Sequence, residues 1–553
     1  MKRKNRGVAL VVALLLSTSL VTGCGPSQTK SLDPSRMVKT IEIWTMTPEY
    51  SQDRYEAALM IADWWKQLGL DIQVKPMEQA VVSKQTRTPP WDFDTFMLEW
   101  AGSPERIDPQ LFIYQIFHSS QDVEGGNNRS GYRSPKFDDV AAAQMQETDL
   151  EKRREYVLKA QELLAEDVPV ITLYFRNMRQ AYNHERFSGI VEMPGVGINN
   201  IWTLLQAEPK TADRVLRIAH RQDCDNLNPM ASFIITDWQI LYLIYDTLVR
   251  IGPDGKPVPS AASSWEFKSP TVLQVQLKEG LKFHDGKALT AEDVKFTFEY
   301  ALKWGMPKVA GFVKPVKAVR VIGNNVLEIE TSRPTGSLVT GTLAAVPILP
   351  KHVWEGLLER EKIAKPADWE NVRPVGSGPF KFKYWRRGEE ISLETFKEYH
   401  TPAKIDGILQ TVYPSPDAVL GAMELGKADL TNQELAPIHA DKAAQIKHLT
   451  VTETPGIGWA YIGLNMRREP FSDPVFRQAL AHATNCAELV EVLLDGHGVP
   501  GGAGRVISPA NAFWHNPNVK QHEFSIDLAR KLLADAGYEW DKEGRLYYPA
   551  ARK

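Results

Sequence analysis

The 553 residues carry 65 Lys+Arg against 68 Asp+Glu, a formal charge of -3, which excludes bulk nucleic-acid binding through a dense positive surface. At 43% hydrophobic and 24% charged the chain is globular rather than disordered, and three cysteines build neither a disulfide scaffold nor a structural zinc site. The length predicts three or four folding units at about 150 residues each.

Lys2, Arg3, Lys4 and Arg6 precede an apolar run over 8–21, which Thr22-Gly23-Cys24 closes. A bilayer-spanning helix takes about 20 residues, so this shorter run after a positive region predicts an export signal. The ending Leu20-Val21-Thr22-Gly23-Cys24 resembles a bacterial lipobox, in which small residues admit a signal peptidase and the thiol accepts a diacylglycerol. Residues 1–23 are expected as signal peptide, and 24–39 as the lipidated Cys24 and a polar tether. No later run is apolar over about 18 residues, so the rest is expected to be soluble.

Residues 40–45 read as a strand. Residues 54–68 read as an amphipathic helix with Ala58, Ile61, Trp65 and Leu68 on one face and Gly69 as its stop. Strands follow at 70–74 and 97–100, then a polar loop over 101–108. A helix at 149–166 points Leu150, Val157, Ala160 and Leu164 inward, and a buried strand covers 168–174. This alternation predicts α/β layering with a parallel or mixed sheet.

From about Val215 the pattern restarts, with a strand at 216–219, an apolar helical stretch at 238–248 and a Gly252-Pro253-Asp254-Gly255 turn. Residues 271–277 alternate as a strand. Thr290 caps the next helix, with Asp293 at the capping-box position although one methylene short. Strands at 319–322 and 326–329 flank Gly323-Asn324-Asn325. Asp473 caps a helix with Pro474 in its first turn, running to about Asn485. Ser525 starts another helix, expected to bury Leu528, Leu532, Leu533 and Ala536 before Gly537.

No stretch completes a dinucleotide or P-loop glycine pattern, and HExxH, GxSxG and CxxC are absent. His284-Asp285 reads as a surface pair on a turn. Cys224 and Cys486 read as buried thiols, with a disulfide between them left open by an exported location. No nucleophile, base and orienter assemble, so neither catalytic nor metal-ligating residues and no cofactor are assigned.

Several blocks carry a resemblance: Leu227-Asn228-Pro229, Tyr245-Asp246-Thr247-Leu248, residues 277–298 (LKEGLKFHDGKALTAEDVKFTF), Pro347-Ile348-Leu349-Pro350-Lys351-His352, residues 374–380 (PVGSGPF), Leu464-Asn465, residues 475–480 and the 527–537 helix. Together they resemble bacterial extracellular solute-binding proteins of family 5, the peptide, nickel and oligosaccharide receptors of ABC importers. The family continues beyond that last helix, whereas this chain carries the matching segments at its front. These are residues 41–44, helix 54–68, Gly69-Leu70-Asp71-Ile72, Trp91-Asp92-Phe93-Asp94, Trp100, residues 127–138 (NNRSGYRSPKFD) and the 167–174 strand. The order resembles a circular permutation, tolerable where new ends lie at the surface and old ones lie close. A duplicated or fused fragment is the alternative, disfavoured because the two pieces sum to one set without overlap.

The resemblance implies an α/β, two-lobed periplasmic-binding-protein fold of type II, cluster C-like, with an extra domain and a permuted chain. One lobe combines 40–175 with 450–553. Residues 176–214 link the old termini, the other lobe combines 215–255 with 350–449, and the extra domain spans 256–349. Ligand sits between the lobes, which close on it. Trp100 matches the cleft tryptophan ahead of the binding loop. The aspartate that pairs with a peptide α-ammonium in the family is missing after it, where Ser103, Glu105 and Arg106 stand instead. Glu105 is the candidate for an ammonium, at a desolvation cost, and Arg106 for an anionic group. Asn128, Asn226, Trp459 and Tyr461 complete the candidate ligand contacts, each with packing or loop structure as the competing role. Asp108 is expected to cap a helix.

The function implied is a lipid-anchored receptor that hands a small solute, an oligopeptide or an oligosaccharide, to ABC permease subunits, without catalysis. It is expected as a monomer that meets the membrane through its lipid only and binds no nucleic acid, on the outer face of the cytoplasmic membrane or in the periplasm. An exported sensory module without a permease is one rival. A hydrolase is another, opposed because Glu105 and Asp108 are close in sequence rather than on facing walls.

Overall fold

The computed structural model describes residues 32–102 and 106–550. The expected signal peptide, Cys24, most of the tether, Ser103 and Glu105 lie outside these residues. Among the described residues no helix is long and apolar enough to cross a membrane.

A six-stranded mixed sheet runs in the order Ile72–Met77, Ile41–Met46, Thr95–Trp100, Trp459–Leu464, Val170–Arg176, Gly498–Ala503. Its first three strands are parallel, as αβ crossovers require, and Trp459–Leu464 enters between the two N-terminal segments antiparallel to both neighbours. Helix Gln52–Lys66 covers one face with Ala58, Ile61 and Trp65, each fully buried, and Leu68 just beyond it seals the same core. Helix Leu150–Asp167 buries Val157, Ala160 and Leu164 against the other face, and its Asp149 cap accepts the Lys152 amide at 2.9 Å.

The second body is a seven-stranded sheet ordered Phe380–Arg386, Glu390–Thr395, Gly407–Val412, Val215–His220, Leu430–Thr431, Met178–Asn183, Leu449–Thr454. Against its core packs a four-stranded antiparallel sheet, Ala262–Ser269, Val272–Leu277, Val326–Thr331 and Val316–Gly323, with helix Ala291–Trp304. That helix carries the reciprocal Thr290–Asp293 capping box, so an aspartate reaches where a glutamate is usual.

Three expectations change in detail. Residues 176–214, read as a linker, contain a strand of the seven-stranded sheet, a short hairpin of Phe187–Ser188 with Glu208–Pro209, and helix Ile201–Gln206. Helix Ile526–Asp535 buries Ala529 and Leu533, while Leu528 is 38% exposed, because the neighbouring elements cover one side of the helix only. Helix Pro474–His482 stops before Asn485, which caps the next helix, Cys486–Leu493. Cys224 and Cys486 are both free thiols and sit against different cores.

Candidate functional site

The chain crosses between the two large sheets twice. Strand Val170–Arg176 passes through Asn177 into Met178–Asn183, and Leu449–Thr454 returns through 455–458 into Trp459–Leu464. The crossings lie side by side, since Met178 pairs with Thr454 on one side and Tyr174 with Ala460 on the other. Close approach demands glycine here. A Cβ on Gly456 would meet the Arg176 carbonyl at 2.1 Å, and one on Gly458 would meet the Trp100 carbonyl at 2.4 Å.

Charged groups brace the crossings. Arg176 pairs with Asp53, which also accepts the Tyr174 hydroxyl at 3.0 Å; Arg179 reaches Asp441 at 3.2 Å and His497 at 2.8 Å. Arg179 donates to Nε2 of His497, so Nδ1 donates to Glu453 at 2.9 Å. Burial works to raise the Asp53 carboxyl, yet Arg176, Ser51 and Tyr174 outweigh it and hold it below the usual range.

The loop after Trp100 is pinned by its neighbours. The Arg106 guanidinium lies over the Trp100 ring at 5.5 Å and donates to the Ala101 carbonyl. Ile107 buries against Met193 and Ile457, with Val196, Trp202 and Ile251 packed around them. Asp108 caps by accepting the Gln110 amide at 2.9 Å, and its carboxylate is also held by both terminal nitrogens of Arg153 at 2.7 and 2.8 Å. Arg153 is fully buried. The other body closes onto this pair. Thr340 donates to Asp108 at 2.5 Å, Ser337 to Gln110 at 2.6 Å, and the Gly336 amide to the Met145 carbonyl at 2.8 Å. Desolvation pushes the Asp108 carboxyl up, but Arg153, Thr340 and the Gln110 amide overrule it and keep it below the ordinary value.

Beside this seam lies a cavity enclosing about 1140 Å³ of empty space, its open mouth included. Helix Ile235–Ile244, the helical turn Leu338–Leu343 and residues 193–204 wall it, and Gln410 contributes from strand Gly407–Val412. Thr340 belongs to both the cavity wall and the seam, so closing the seam completes the wall. Its lining is mainly apolar, through residues such as Met193, Trp238, Tyr242 and Phe312. Phe233, Ile234 and Ile235 at the start of the same helix are exposed, by 69%, 38% and 54%, and form an apolar lip. Among the described residues no group of three His, Cys, Asp or Glu is arranged to hold a metal ion.

The residues singled out from sequence fall mostly outside this cavity. Trp100 is half-buried beneath Arg106 beside it. Asn128 is buried, bonded to the Phe117 and Tyr132 carbonyls and to the Tyr132 amide, and so fastens its own loop. Asn226 accepts the Asn228 amide at 3.0 Å. Trp459 and Tyr461 are buried in the core of the six-stranded sheet, their rings tilted against each other with centroids 4.5 Å apart and edge-on to Phe112 and Phe96 respectively. Sequence reading missed the cavity residues Gln239, Trp238, Tyr242, Phe312 and Gln410. The one visible signal was a glutamine inside the strand-like run Ile408-Leu409-Gln410.

Comparison with known proteins converges on one family. A sequence profile of "Bacterial extracellular solute-binding proteins, family 5 Middle" matches residues 256–552. The chain is 30% identical over 302 residues to the oligopeptide-binding protein AppA of Bacillus subtilis, covering 52% of this chain and 54% of that protein. It is 24% identical over 323 residues to heme-binding protein A of Haemophilus influenzae, covering 53% and 56%. The chain thus spans about half the length of the curated relatives it matches. HbpA2 of Haemophilus parasuis superposes with a TM-score of 0.51 at 22% identity, over 58% of this chain and 67% of that one, a likeness of fold.

Proposed function

This chain belongs to the bacterial extracellular solute-binding proteins of family 5, and from that membership we propose that it captures an oligopeptide or similar solute between its two lobes for an ABC importer. The observation that carries the reading is the cavity beside the double crossing, whose wall is completed by Thr340 where the lobes meet. Closure about a pair of crossing strands encloses ligand without chemistry, as a receptor requires. Delivery to permease subunits, attachment to the membrane through a lipid on Cys24, action as a monomer and residence in the cell envelope complete the reading. The sequence of 1–24 supports the anchor.

We also infer a circularly permuted order. In support, residues 36–38 and 546–548 are hydrogen-bonded neighbours, so the two ends of the described residues adjoin. The old ends would meet near 210–214, an exposed turn between Glu208–Pro209 and strand Val215–His220.

The test is titration of the purified protein with short peptides, following tryptophan fluorescence, since Trp238 lines the cavity. Saturable binding with a fluorescence change is expected. Binding confined to oligosaccharides or other non-peptide solutes would transfer the reading to those, and no binding of any solute class would contradict it.

A further inference from the structure

His497 belongs to the body of the six-stranded sheet, yet its ring is bonded to the other body. It precedes strand Gly498–Ala503, whose first residue pairs with Arg176. Its carbonyl accepts the amide of Asn177, the residue at which the chain crosses, at 3.3 Å. The ring reaches past this crossing to Arg179 and Glu453, which are cross-strand partners in the seven-stranded sheet. Arg179 Nη1 donates to Nε2 at 2.8 Å, and Nδ1 donates to Glu453 at 2.9 Å. Asn177 donates to the other oxygen of the same carboxylate at 2.7 Å.

Arg179 depends on this acceptor. It is 5% exposed, and its Nη2 is buried without a partner among the described residues. Besides His497, its Nη1 reaches Asp441 at 3.2 Å, and that carboxylate is 70% exposed. A buried guanidinium that loses an acceptor is left with an unmet donor, which is costly.

One form of the ring fits both neighbours, the neutral imidazole with its proton on Nδ1. A second proton can go only on Nε2, where it points at the Arg179 donor 2.8 Å away. The bond to Glu453 survives, while the bond to Arg179 becomes a contact between two cations. The other charged groups around the ring are Asp441 on helix Pro437–Ala444, Arg176 on the adjacent strand, and Glu491 and Asp495 on its own segment. Glu434 lies within electrostatic reach of Arg179.

His497 moves with one body, Arg179 and Glu453 with the other, and the crossings at Asn177 and 455–458 lie between them. Rotation there must change both ring contacts, and a hydrogen bond weakens steeply outside its narrow range. On the reading that the two lobes close about a solute, we propose that His497 is a positioning residue that holds them closed while its ring is neutral and releases them when it takes up a proton. Solute is then held at neutral pH and let go in acid.

The test is small-angle X-ray scattering of the purified full-length protein, without solute, at pH 8 and pH 5, since imidazoles change charge between about pH 5 and 8. A compact chain of this length has a radius of gyration of roughly 24 Å, and the wild type is expected to expand by about 1 Å at pH 5 with unchanged circular dichroism. His497→Gln keeps an acceptor for Arg179 and a donor for Glu453 but does not titrate, so it stays compact at both pH values. His497→Ala is expanded at both. A wild type of equal size at the two pH values overturns the inference, as does a Gln variant that expands as far as the wild type. An Ala variant as compact as the wild type at pH 8 overturns the latch; should it fail to fold, the comparison of wild type with His497→Gln decides alone. No solute enters this experiment, so its failure is distinct from failure of the peptide titration that tests the receptor reading.

Discussion

The Tyr548 amide donates to the Arg36 carbonyl at 2.8 Å, and the Arg36 Nε donates to the Tyr548 carbonyl at 2.9 Å, across 512 positions of sequence. Met37 and Tyr547 form a bridge beside this contact, and the Val38 amide reaches the Leu546 carbonyl at 2.9 Å. Two segments at opposite ends of the chain thus behave as one continuous piece of structure. A rearranged chain that starts near residue 212 and joins residue 550 to residue 32 is expected to fold with the same circular-dichroism spectrum and a melting temperature equal to or above the parent's. An insoluble or molten product would contradict the permuted order.

Asp108 and Arg153 form the most deeply buried ion pair at the seam. Arg153→Met leaves a buried carboxylate without its partner and is expected to cost about 3–5 kcal/mol in urea unfolding. The folded pKa of Asp108 is depressed, so its contribution is present above the ordinary value of 3.8 and is lost as pH falls through the folded value. Below about pH 4 the wild type is expected to lose stability more steeply than Asp108→Asn. Parallel acid titrations of the two would reveal the difference.

Gly458 packs against the loop that leaves Trp100. An added Cβ would lie 2.4 Å from the Trp100 carbonyl and 2.5 Å from the Gly102 amide nitrogen. Gly458→Ala must push the two strands apart where Trp100 pairs with Trp459, at an expected cost of about 1–3 kcal/mol. Thermal denaturation measures it, and an unchanged melting temperature would mean the crossing is slack.

Trp459 serves the core rather than the solute. It is fully buried, edge-on to Phe112 and in tilted contact with Tyr461. Trp459→Ala is expected to cost about 3–5 kcal/mol of stability. A milder Trp459→Phe should leave solute affinity within about twofold, because no atom of this residue lines the cavity. A large loss of affinity with stability intact would return it to the ligand site.

His284 donates through Nε2 to the Gly378 carbonyl at 2.9 Å, and burial pushes its pKa down to about 4. Its folded pKa lies below the unfolded value of 6.5, so the stability it provides is present above pH 6.5 and declines toward pH 4. The neighbouring Asp285 pairs with His352 at 2.7 Å, which separates the two members of the surface turn into different roles. Urea midpoints at pH 7 and pH 5 should differ less for His284→Gln than for the wild type.

Local rules carried much of the fold. The Thr290–Asp293 box, the Asp473 and Ser525 caps and the apolar face of Gln52–Lys66 were legible because each depends on residues within one or two helical turns. Strand Met178–Asn183 was hidden because its sequence is polar and its main partner, Leu449–Thr454, lies far along the chain. Trp459 and Tyr461 share a face of their strand, but strand alternation alone does not tell a core face from a ligand face. Asp108 was legible as a cap through Gln110, whereas its pairing with Arg153 depends on helix Leu150–Asp167 folding back over the loop. Gln410 reads as one polar residue in a strand, and only the cavity gives it meaning.

Solute capture in the cavity is tested most directly by native mass spectrometry of the gently purified protein and of Ala344→Trp, whose indole would fill the space that Ala344 lines. The expected result is a retained small molecule on the wild type, released by acid, and its loss from an Ala344→Trp protein that melts at the same temperature. Equal retention on both proteins would contradict capture at this site.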